Sequence, residues 1–381
     1  MVPLTEQQVM VRDMIRKLCR EKVAKRAQEA DETKEYPWDL HQLFIDNGLF
    51  NIRVPEKYGG AEMDYTSACI MVEEVARVDG ACANTVAHHQ AGMCCFMDGS
   101  NETQKAKYLP KAGRGDYLVG FALTEPNAGS DAFSLKSRAV AEGDGYVIDG
   151  TKCFISNSGL TDLYVIFTTI DPALRRDGIT AFLVEKDTPG LVIGKNENKM
   201  GLRASPTRQL IFENMRIAKE NLLGEAGSGW ELVLQSLTET RVLVAAMALG
   251  IAQGAMEAAV SYSKQREQFG KPIAEFQGVS FMLADMAIQV ECARALIYNI
   301  ASMVDQGKRD QAYLASVAKC FSSDMAMKVT TDAVQVMGGY GYTKEYPVEK
   351  MMRDAKSTQI IEGANQIQRV QIVRNLMKMI H

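Results

Sequence analysis

The pattern of hydrophobic and polar positions changes twice along the chain. From about Thr5 to residue 118, apolar residues recur with helical spacing, and TEQQ at the start of the first helix is a capping-box signal. From 119 to 225, short apolar runs such as YVIFTT and ITAFLVE alternate with turns rich in Asp, Asn, Gly and Pro. Helical spacing then returns. The pattern predicts an α+β protein with domains at residues 1–118, 119–225 and 226–381.

One helix of the third part has a long apolar stripe. Spacings of three and four residues place eight side chains on one face: Phe276, Val279, Leu283, Met286, Val290, Ala293, Ile297 and Ile300. Such a stripe requires partner helices. Helices over about 229–265 and about 311–337, together with a C-terminal helix, are expected to complete an antiparallel four-helix bundle.

Composition is that of an ordinary globular protein, with 46% hydrophobic residues, 24% charged residues and a net charge of −4. The chain lacks a long basic run, so nucleic-acid binding is not expected. No stretch approaches the roughly 18 consecutive apolar residues of a membrane span, and the first residues do not resemble a targeting peptide. We expect a cytoplasmic protein without membrane insertion. A mitochondrial matrix location remains open if a transit peptide has been removed.

The eight cysteines show no CxxC pair and no zinc-like spacing, so free thiols and no metal site are expected. The adjacent Cys94 and Cys95 are expected to be small buried hydrophobic residues, with a functional thiol pair as the alternative. The sequence contains neither a G-x-G-x-x-G motif after a strand nor a phosphate-loop motif. It therefore gives no support for a Rossmann dinucleotide fold or a phosphate-loop NTPase.

Glu362 is the clearest candidate for chemistry. It lies in the string RDAKSTQIIEGANQIQR, where Gly363 interrupts an otherwise helical pattern. Glycine inside a helix costs about 1 kcal/mol relative to alanine, so a close approach of backbone or ligand would explain it. The alternative is a helix end with a solvated glutamate.

Five motifs follow one another along the chain: FALTEPNAGSD at 121–131, FISN at 154–157, REQFG at 266–270, QVMGGYGY at 335–342 and IEGANQIQR at 361–369. In this order and at these separations, they resemble the acyl-CoA dehydrogenase family from about Thr5 to about Arg374. The resemblance implies an N-terminal helical domain, a middle antiparallel β domain and a C-terminal four-helix bundle. It also implies that Glu362 is the catalytic base.

The resemblance further implies FAD as cofactor and α,β-dehydrogenation of a short or medium acyl-CoA to the trans-2-enoyl-CoA. Glu362 would take the α proton and the flavin N5 the β hydride, with electrons passing to an electron-transferring flavoprotein. A flavin ribityl hydroxyl and the Glu362 backbone N–H would polarise the thioester carbonyl. Family members are commonly homotetramers, so a homotetramer is expected.

The matching motifs assign cofactor contacts on three parts of the chain. An arginine suits a diphosphate because its planar fork makes paired hydrogen bonds, and the contacts from the third domain reach a neighbouring subunit's flavin in the family. Phe154 keeps an aromatic face where many relatives have Trp. The assigned residues are Phe121, Leu123, Thr124, Gly129, Ser130, Phe154, Ile155, Ser156, Arg266, Phe269, Gln277, Gln335, Val336, Gly338, Gly339, Ala364, Asn365 and Gln366.

Substrate contacts are carried over to a second set of positions: Ser130, Thr238, Glu239, Thr240, Arg241 and Gly363. Arg241 is the expected anchor near the CoA side of the cleft, and Thr238 replaces an acid common in the family. In some relatives the base stands at the position of Thr240, which cannot serve here. Glu239 is rotated by about 100° around the helix. Glu362 is thus the one credible base.

Several departures from the family pattern bear on the substrate. Ala364 replaces the usual Thr, and Ile361 replaces the usual Tyr. Ala83 stands where glutaryl-type members have an arginine, so a dicarboxylyl thioester is not expected. His88 and His89 fall on the helix that walls the acyl pocket in relatives. One of them would then contact a polar acyl end, or both are ordinary histidines on a helix surface.

Three other functions stay open at this point. The same fold can run in reverse as an enoyl-CoA or aryl-acrylyl-CoA reductase, which equilibrium and the electron carrier would distinguish. An oxidase that uses O₂ would differ in peroxide yield. A non-catalytic CoA- or flavin-binding scaffold would be refuted by turnover that is lost in Glu362→Gln.

Overall fold

The computed structural model describes residues 3–308 and 311–380, and its first part is helical. Helix α1 begins with the predicted capping box, because the Thr5 hydroxyl accepts from the Gln8 N–H and the Gln8 side chain accepts from the Thr5 N–H. The helices are α1 (Glu6–Glu21), α2 (Ala27–Thr33), α3 (Trp38–Asp46), α4 (Tyr65–Ala76), α5 (Gly80–Gly99) and α6 (Glu102–Ala112).

An eight-stranded sheet forms the middle of the chain, in the order β6-β7-β3-β2-β4-β5-β8 with β1 paired to β4. The strands are β1 (Val119–Ala122), β2 (Arg138–Glu142), β3 (Gly145–Ser156), β4 (Leu163–Thr169), β5 (Ile179–Glu185), β6 (Leu191–Asn196), β7 (Thr207–Ala218) and β8 (Leu222–Leu223). Most neighbours are antiparallel, as predicted. β1 and β4 are parallel, because the β2–β3 segment provides the long connection that a parallel pair needs. β2 and β4 also meet in parallel, at Arg138 and Thr169.

Helices return after the sheet: α7 (Gly229–Gln265), α8 (Gln277–Asp305), α9 (Ala312–Met337), α10 (Val348–Thr358) and α11 (Asn365–Met379), with a two-stranded hairpin of β9 (Glu267–Gln268) and β10 (Lys271–Pro272) before α8. α7 and α9 match the two predicted long helices. The last five positions of the predicted stripe, from Met286 to Ile300, are buried on α8, and the first three, Phe276, Val279 and Leu283, are half-buried. The described residues contain five helices here instead of four, because a turn at 359–364 separates α10 from α11.

Helix α7 joins the two helical parts into one core. It packs against α4 and α5 as well as α8 and α9. By length and composition it could cross a membrane, but 78% of its most apolar 18-residue window is buried inside the protein. Gly250 permits the close contact with α4, since a Cβ there would lie 2.2 Å from the Glu73 carbonyl oxygen. The apolar character of α7 therefore serves the protein core.

Candidate active site

The turn at residues 359–364, hereafter the base turn, holds Glu362 and Gly363 in left-handed backbone conformations, with φ values of 55° and 92°. The positive φ favours glycine at Gly363, and a Cβ there would lie 2.6 Å from Gln368 Nε2 and displace that amide. A non-glycine residue at positive φ is strained, and such strain often accompanies function. The break in the helical pattern is thus a helix end, but a strained one.

The carbonyl groups of the base turn are held by side chains from outside it. Lys319 Nζ on α9 donates to Gly363 O at 2.9 Å and to Asn365 Oδ1 at 2.8 Å. Gln368 Nε2 on α11 lies 3.0 Å from both Glu362 O and Gly363 O. Lys319 is fully buried, and burial lowers its pKa from 10.5 to about 8 although the Glu362 charge opposes the shift. The motifs gave no signal for Lys319.

The Glu362 carboxylate is buried, with one oxygen facing His88 and the other hydrogen-bonded to Thr240. Its side chain is 7% exposed, and its Oε1 lies 3.7 Å from Nε2 of His88, a side chain that is 13% exposed. Its Oε2 accepts a hydrogen bond from the Thr240 hydroxyl at 3.0 Å. The solvated glutamate of the alternative interpretation is therefore wrong. Thr240 orients the carboxylate, a contact that the sequence did not predict.

Arg241, on α7 beside Thr240, is buried and donates from Nε to Glu362 O at 3.4 Å. Burial lowers its pKa, and the Glu362 charge acts in the opposite direction. Among the residues that the structure describes, no carboxylate forms an ion pair with Arg241. A buried guanidinium without such a partner keeps donors for an oxygen-rich ligand.

Glu239 faces away from the base turn. Its Oε2 accepts from Arg53 Nη1 at 2.8 Å and from Cys94 Sγ at 3.3 Å. Thr238 donates its hydroxyl to Leu234 O at 2.8 Å. Of the four predicted substrate residues on α7, the structure thus brings only Thr240 and Arg241 to Glu362. Cys94 and its neighbour Cys95 are both buried, as expected for small hydrophobic residues.

The two adjacent histidines of α5 have different surroundings. His89 is fully buried, with Nε2 2.9 Å from Phe50 O and Nδ1 accepting from the Val119 N–H at 3.0 Å. Burial lowers its pKa to about 4. His88 faces Glu362 instead. The expectation of two ordinary surface histidines is wrong, and His89 is a core residue that ties α5 to β1.

A buried ion pair holds residues 123–130, the turn that follows β1 within the predicted cofactor motif. Lys152 Nζ on β3 donates to Leu123 O at 2.9 Å and to Glu125 Oε1 at 2.8 Å. Burial lowers the Lys152 pKa to about 8, against the attraction of Glu125. Gly129 and Ser130 are exposed, Phe121 and Thr124 are half-buried, and Leu123 is buried. Sequence reasoning missed the ion pair, since neither partner belongs to the assigned contacts.

Phe154 lies beside this turn at a β-bulge. The β3–β7 register shifts between Lys152 and Ile155, and Phe154 has a φ of 57° and is 66% exposed. A bulge re-aims a side chain, and here it turns an aromatic ring outward while Ile155 stays buried. Ser156 is half-buried. The following residue, Asn157, donates to Thr85 O at 2.8 Å, which links this strand end to the helix of His88.

A third group of predicted cofactor residues surrounds an open cavity of about 530 Å³, whose lining includes Arg266, Val336, Gly338 and Gly339. We call this group, with Phe269, Gln277 and Gln335, the open face. Phe269 is 95% exposed at a φ of 52°, and both glutamines are exposed. The Arg266 guanidinium lies 5.7 Å from the Tyr340 ring centre.

The open face has free space and a cationic side chain, two features that suit a diphosphate group. A Cβ added to Gly338 or Gly339 would meet no protein atom within 4 Å, so the glycines keep space beside the backbone. An arginine next to such a space suits a diphosphate. Ala364, Asn365 and Gln366 line a separate cavity of about 490 Å³ at the base turn. The Asn365 side chain points into the protein, since its Nδ2 donates to Asp324 Oδ1 at 2.7 Å.

Family models match nearly the whole chain in three consecutive pieces. The acyl-CoA dehydrogenase N-terminal domain matches residues 5–116, the middle domain matches 120–215, and the C-terminal domain matches 227–377. An acyl-CoA dehydrogenase of Bacillus subtilis is 46% identical over 375 residues, which cover 98% of this chain and 99% of the relative.

Solved structures show the same relationship. Butyryl-CoA dehydrogenase from Megasphaera elsdenii superposes with a TM-score of 0.96 at 40% identity, covering 99% of this chain and 100% of that chain. A chain in a structure described as the electron transferring flavoprotein of Acidaminococcus fermentans has a TM-score of 0.97 at 43% identity, with coverage of 99% and 100%. These matches confirm the α+β three-part fold and the resemblance that the motifs indicated. The chain belongs to the acyl-CoA dehydrogenase family.

Proposed function

We propose that this protein is an FAD-dependent dehydrogenase of a short or medium acyl-CoA thioester, forming the trans-2-enoyl-CoA with Glu362 as the base for the α proton. The family supplies the reaction class. The observation that carries the proposal is the Glu362 carboxylate, which is 7% exposed, faces His88 at one oxygen and accepts from Thr240 at the other. A base that is shielded from water and held in orientation is suited to a weakly acidic carbon acid.

The backbone N–H of Glu362 is a second group that we assign to the reaction. Within the described part of the chain, the Glu362 N–H forms no hydrogen bond to a protein acceptor. It is therefore free to donate to the thioester carbonyl oxygen, which gains negative charge as the α proton leaves. Bound FAD supplies the acceptor for the β hydride. Arg241, buried beside Glu362 without a carboxylate partner, is available to an oxygen of the CoA moiety.

We propose further that a second copy of the chain covers the open face, in a homotetramer, and that electrons pass to an electron-transferring flavoprotein. Phe269 is 95% exposed, and α8 exposes Phe281 and Ile288 at 63% and 60%. Large apolar side chains on a surface mark an interaction site when they lie close together. Analytical ultracentrifugation of the yellow protein tests the assembly, and a monomer that retains FAD would contradict it.

The activity is tested by anaerobic titration of the yellow protein with saturated, branched, aromatic and dicarboxylic acyl-CoAs, following flavin bleaching and long-wavelength charge-transfer absorbance. We expect a short or medium saturated thioester to bleach the flavin. Glu362→Gln should slow bleaching by at least the 10²–10⁴-fold typical of a general base. Glu213→Gln, at an exposed glutamate of β7, is the matched control and should bleach normally.

Three results would contradict the proposal. Bleaching at the wild-type rate in Glu362→Gln would show that Glu362 is not the base. If unsaturated thioesters reoxidise a chemically reduced flavin and no saturated thioester bleaches it, the protein is a reductase. Binding of FAD and CoA thioesters without turnover in either direction would indicate a non-catalytic scaffold.

A further inference from the structure

His88 presents one defined nitrogen to Glu362. Its Nδ1 lies 3.1 Å from Asn84 O, one turn earlier on α5. A carbonyl oxygen only accepts, so Nδ1 has the proton in the neutral ring. Nε2 consequently has a lone pair, and this is the atom that lies 3.7 Å from Glu362 Oε1. The Asn84 side chain donates to Ser205 Oγ at 2.9 Å, which helps to fix this part of α5.

Two acceptors that face each other in a nearly dry environment are complementary only when a proton lies between them. An ionised Glu362 offers no proton to Nε2. A Glu362 that has just received a proton does, and Nε2 is then its acceptor. The side chains are 13% and 7% exposed, so water competes weakly for this contact. Catalytic hydrogen bonds often tighten when substrate binds, which accommodates the separation of 3.7 Å.

The other titratable groups around Glu362 are not placed to accept that proton. Arg241 Nε and Lys319 Nζ are donors to backbone oxygens of the base turn. Burial, with a smaller contribution from Glu362, raises the pKa of the Cys95 thiol to about 12, so this group keeps its own proton. Among the described groups that interact with Glu362, His88 is therefore the one suited to receive a proton.

We propose that His88 acts through Glu362, from which it receives the α proton, and so returns the base to its ionised form; this inference rests on the proposed function. In this step the O–H bond of the protonated Glu362 breaks and an Nε2–H bond forms. Glu362 becomes a carboxylate and His88 an imidazolium, without any exchange of electrons. The imidazolium exchanges its proton with water while the ligand is bound, since the His88 side chain is 13% exposed compared with 7% for Glu362.

The test compares two rates in the same holoenzyme. A saturated acyl-CoA that bleaches the flavin is incubated anaerobically in D₂O without an electron acceptor. Deuterium at Cα is measured by mass spectrometry, and its rate of incorporation is divided by the rate of flavin bleaching. In the wild type, the proton passes to His88 and exchanges with solvent. In His88→Gln, Glu362 returns the original proton to Cα more often, and the ratio should fall on the order of tenfold, which is less than the effect of a base itself.

The matched control is His41→Gln, a histidine of α3 whose ring contacts Tyr36 and Phe50. It should keep the wild-type ratio. His88→Asn also removes Nε2, and the same ratio in this variant decides the question if His88→Gln does not fold.

A purely structural role of His88 would slow exchange and bleaching together. An unchanged ratio in His88→Gln therefore overturns the inference, as does an equal fall of the ratio in His41→Gln. Failure of the proposed function has a different signature. In that case the wild-type protein neither bleaches nor incorporates deuterium with any saturated thioester.

Discussion

The base turn and the open face are built in opposite ways, although family motifs assign chemistry to both. At the base turn, the Glu362 side chain is 7% exposed, and α7, α9 and α11 each hold part of the turn through Arg241, Lys319 and Gln368. At the open face, Phe269 is 95% exposed, and the space beside Gly339 contains no protein atom within 4 Å.

The chain fixes the geometry of the base turn through its own contacts, but it does not do so at the open face. The base turn is strained, and buried hydrogen bonds over-determine it, so its geometry is set before any ligand arrives. The open face offers glycines, an arginine that contacts the Tyr340 ring and an exposed aromatic ring that contacts Phe276. In the proposed function, a cofactor and a second chain would supply its further contacts. Substitutions should consequently disturb catalysis and stability in the first region, and ligand retention in the second.

The strongest expected disturbance comes from Gly363→Ala. Alanine at a φ of 92° is strained, and its Cβ would lie 2.6 Å from Gln368 Nε2, the donor to both Glu362 O and Gly363 O. We expect a loss of about 1–3 kcal/mol in unfolding free energy. A displacement of the base by about 1 Å should slow flavin bleaching on the order of 10²-fold. Urea unfolding and stopped-flow bleaching measure the two effects. Wild-type bleaching in this variant would show that the turn geometry is unimportant for the base.

Lys319→Met should have the next largest effect. It removes a buried charged donor from Gly363 O and Asn365 Oδ1, which keep Gln368 and Ser323 as donors, and losing these two charge-assisted hydrogen bonds should cost about 2 kcal/mol at pH 7. The folded-state pKa of Lys319 is lowered from 10.5 to about 8, so between these values the unfolded chain binds the extra proton. The contribution of Lys319 to stability therefore rises as the pH increases through this window and is lost as the pH falls through about 8.

Urea unfolding at pH 7 and pH 10 tests this sign. The stability gap between wild type and Lys319→Met should be wider at pH 10. Lys152 also has a pKa lowered to about 8, but it is present in both proteins and cancels in the difference. A gap that narrows with pH would mean that Lys319 is not the buried, weakly basic group that its surroundings indicate.

Sequence reasoning succeeded where local pattern decides structure. Helical spacing predicted α7 and α9 to within a residue or so, and a four-residue signal predicted the capping box at Thr5. It could not predict contacts between distant elements. Periodicity shows which residues share a face, but it does not show that Thr240 would donate to Glu362 or that Glu239 would pair with Arg53.

The adjacent histidines show the same limit at the scale of one residue. Nothing in the string AHHQ distinguishes His88 from His89. A rotation of about 100° around α5 separates them. That rotation puts one ring against Phe50 and Val119 in the core and the other against Glu362. Only the packing of α5 against its neighbours assigns the two surroundings, and packing is a property of the whole fold.

The smallest expected effect on the protein itself comes from Gly339→Ala at the open face, the counterpart of Gly363→Ala. Its Cβ meets no protein atom within 4 Å, and its φ lies outside the left-handed region, so unfolding free energy should stay within about 0.5 kcal/mol of wild type. The methyl group would instead occupy space in the cavity that Arg266 lines. We expect the variant to retain FAD several-fold more weakly, as measured by flavin release on dilution.

The matched control is Gly278→Ala on α8, where a Cβ also meets no protein atom but lies outside that cavity. It should retain FAD as the wild type does, because alanine at an exposed helical position is favourable. Two identical substitutions with opposite consequences would show that the space beside Gly339 is kept for a ligand. If Gly339→Ala retains FAD fully while Gly363→Ala still slows bleaching, the open face does not hold the cofactor, and the contrast between the two regions is one of burial alone.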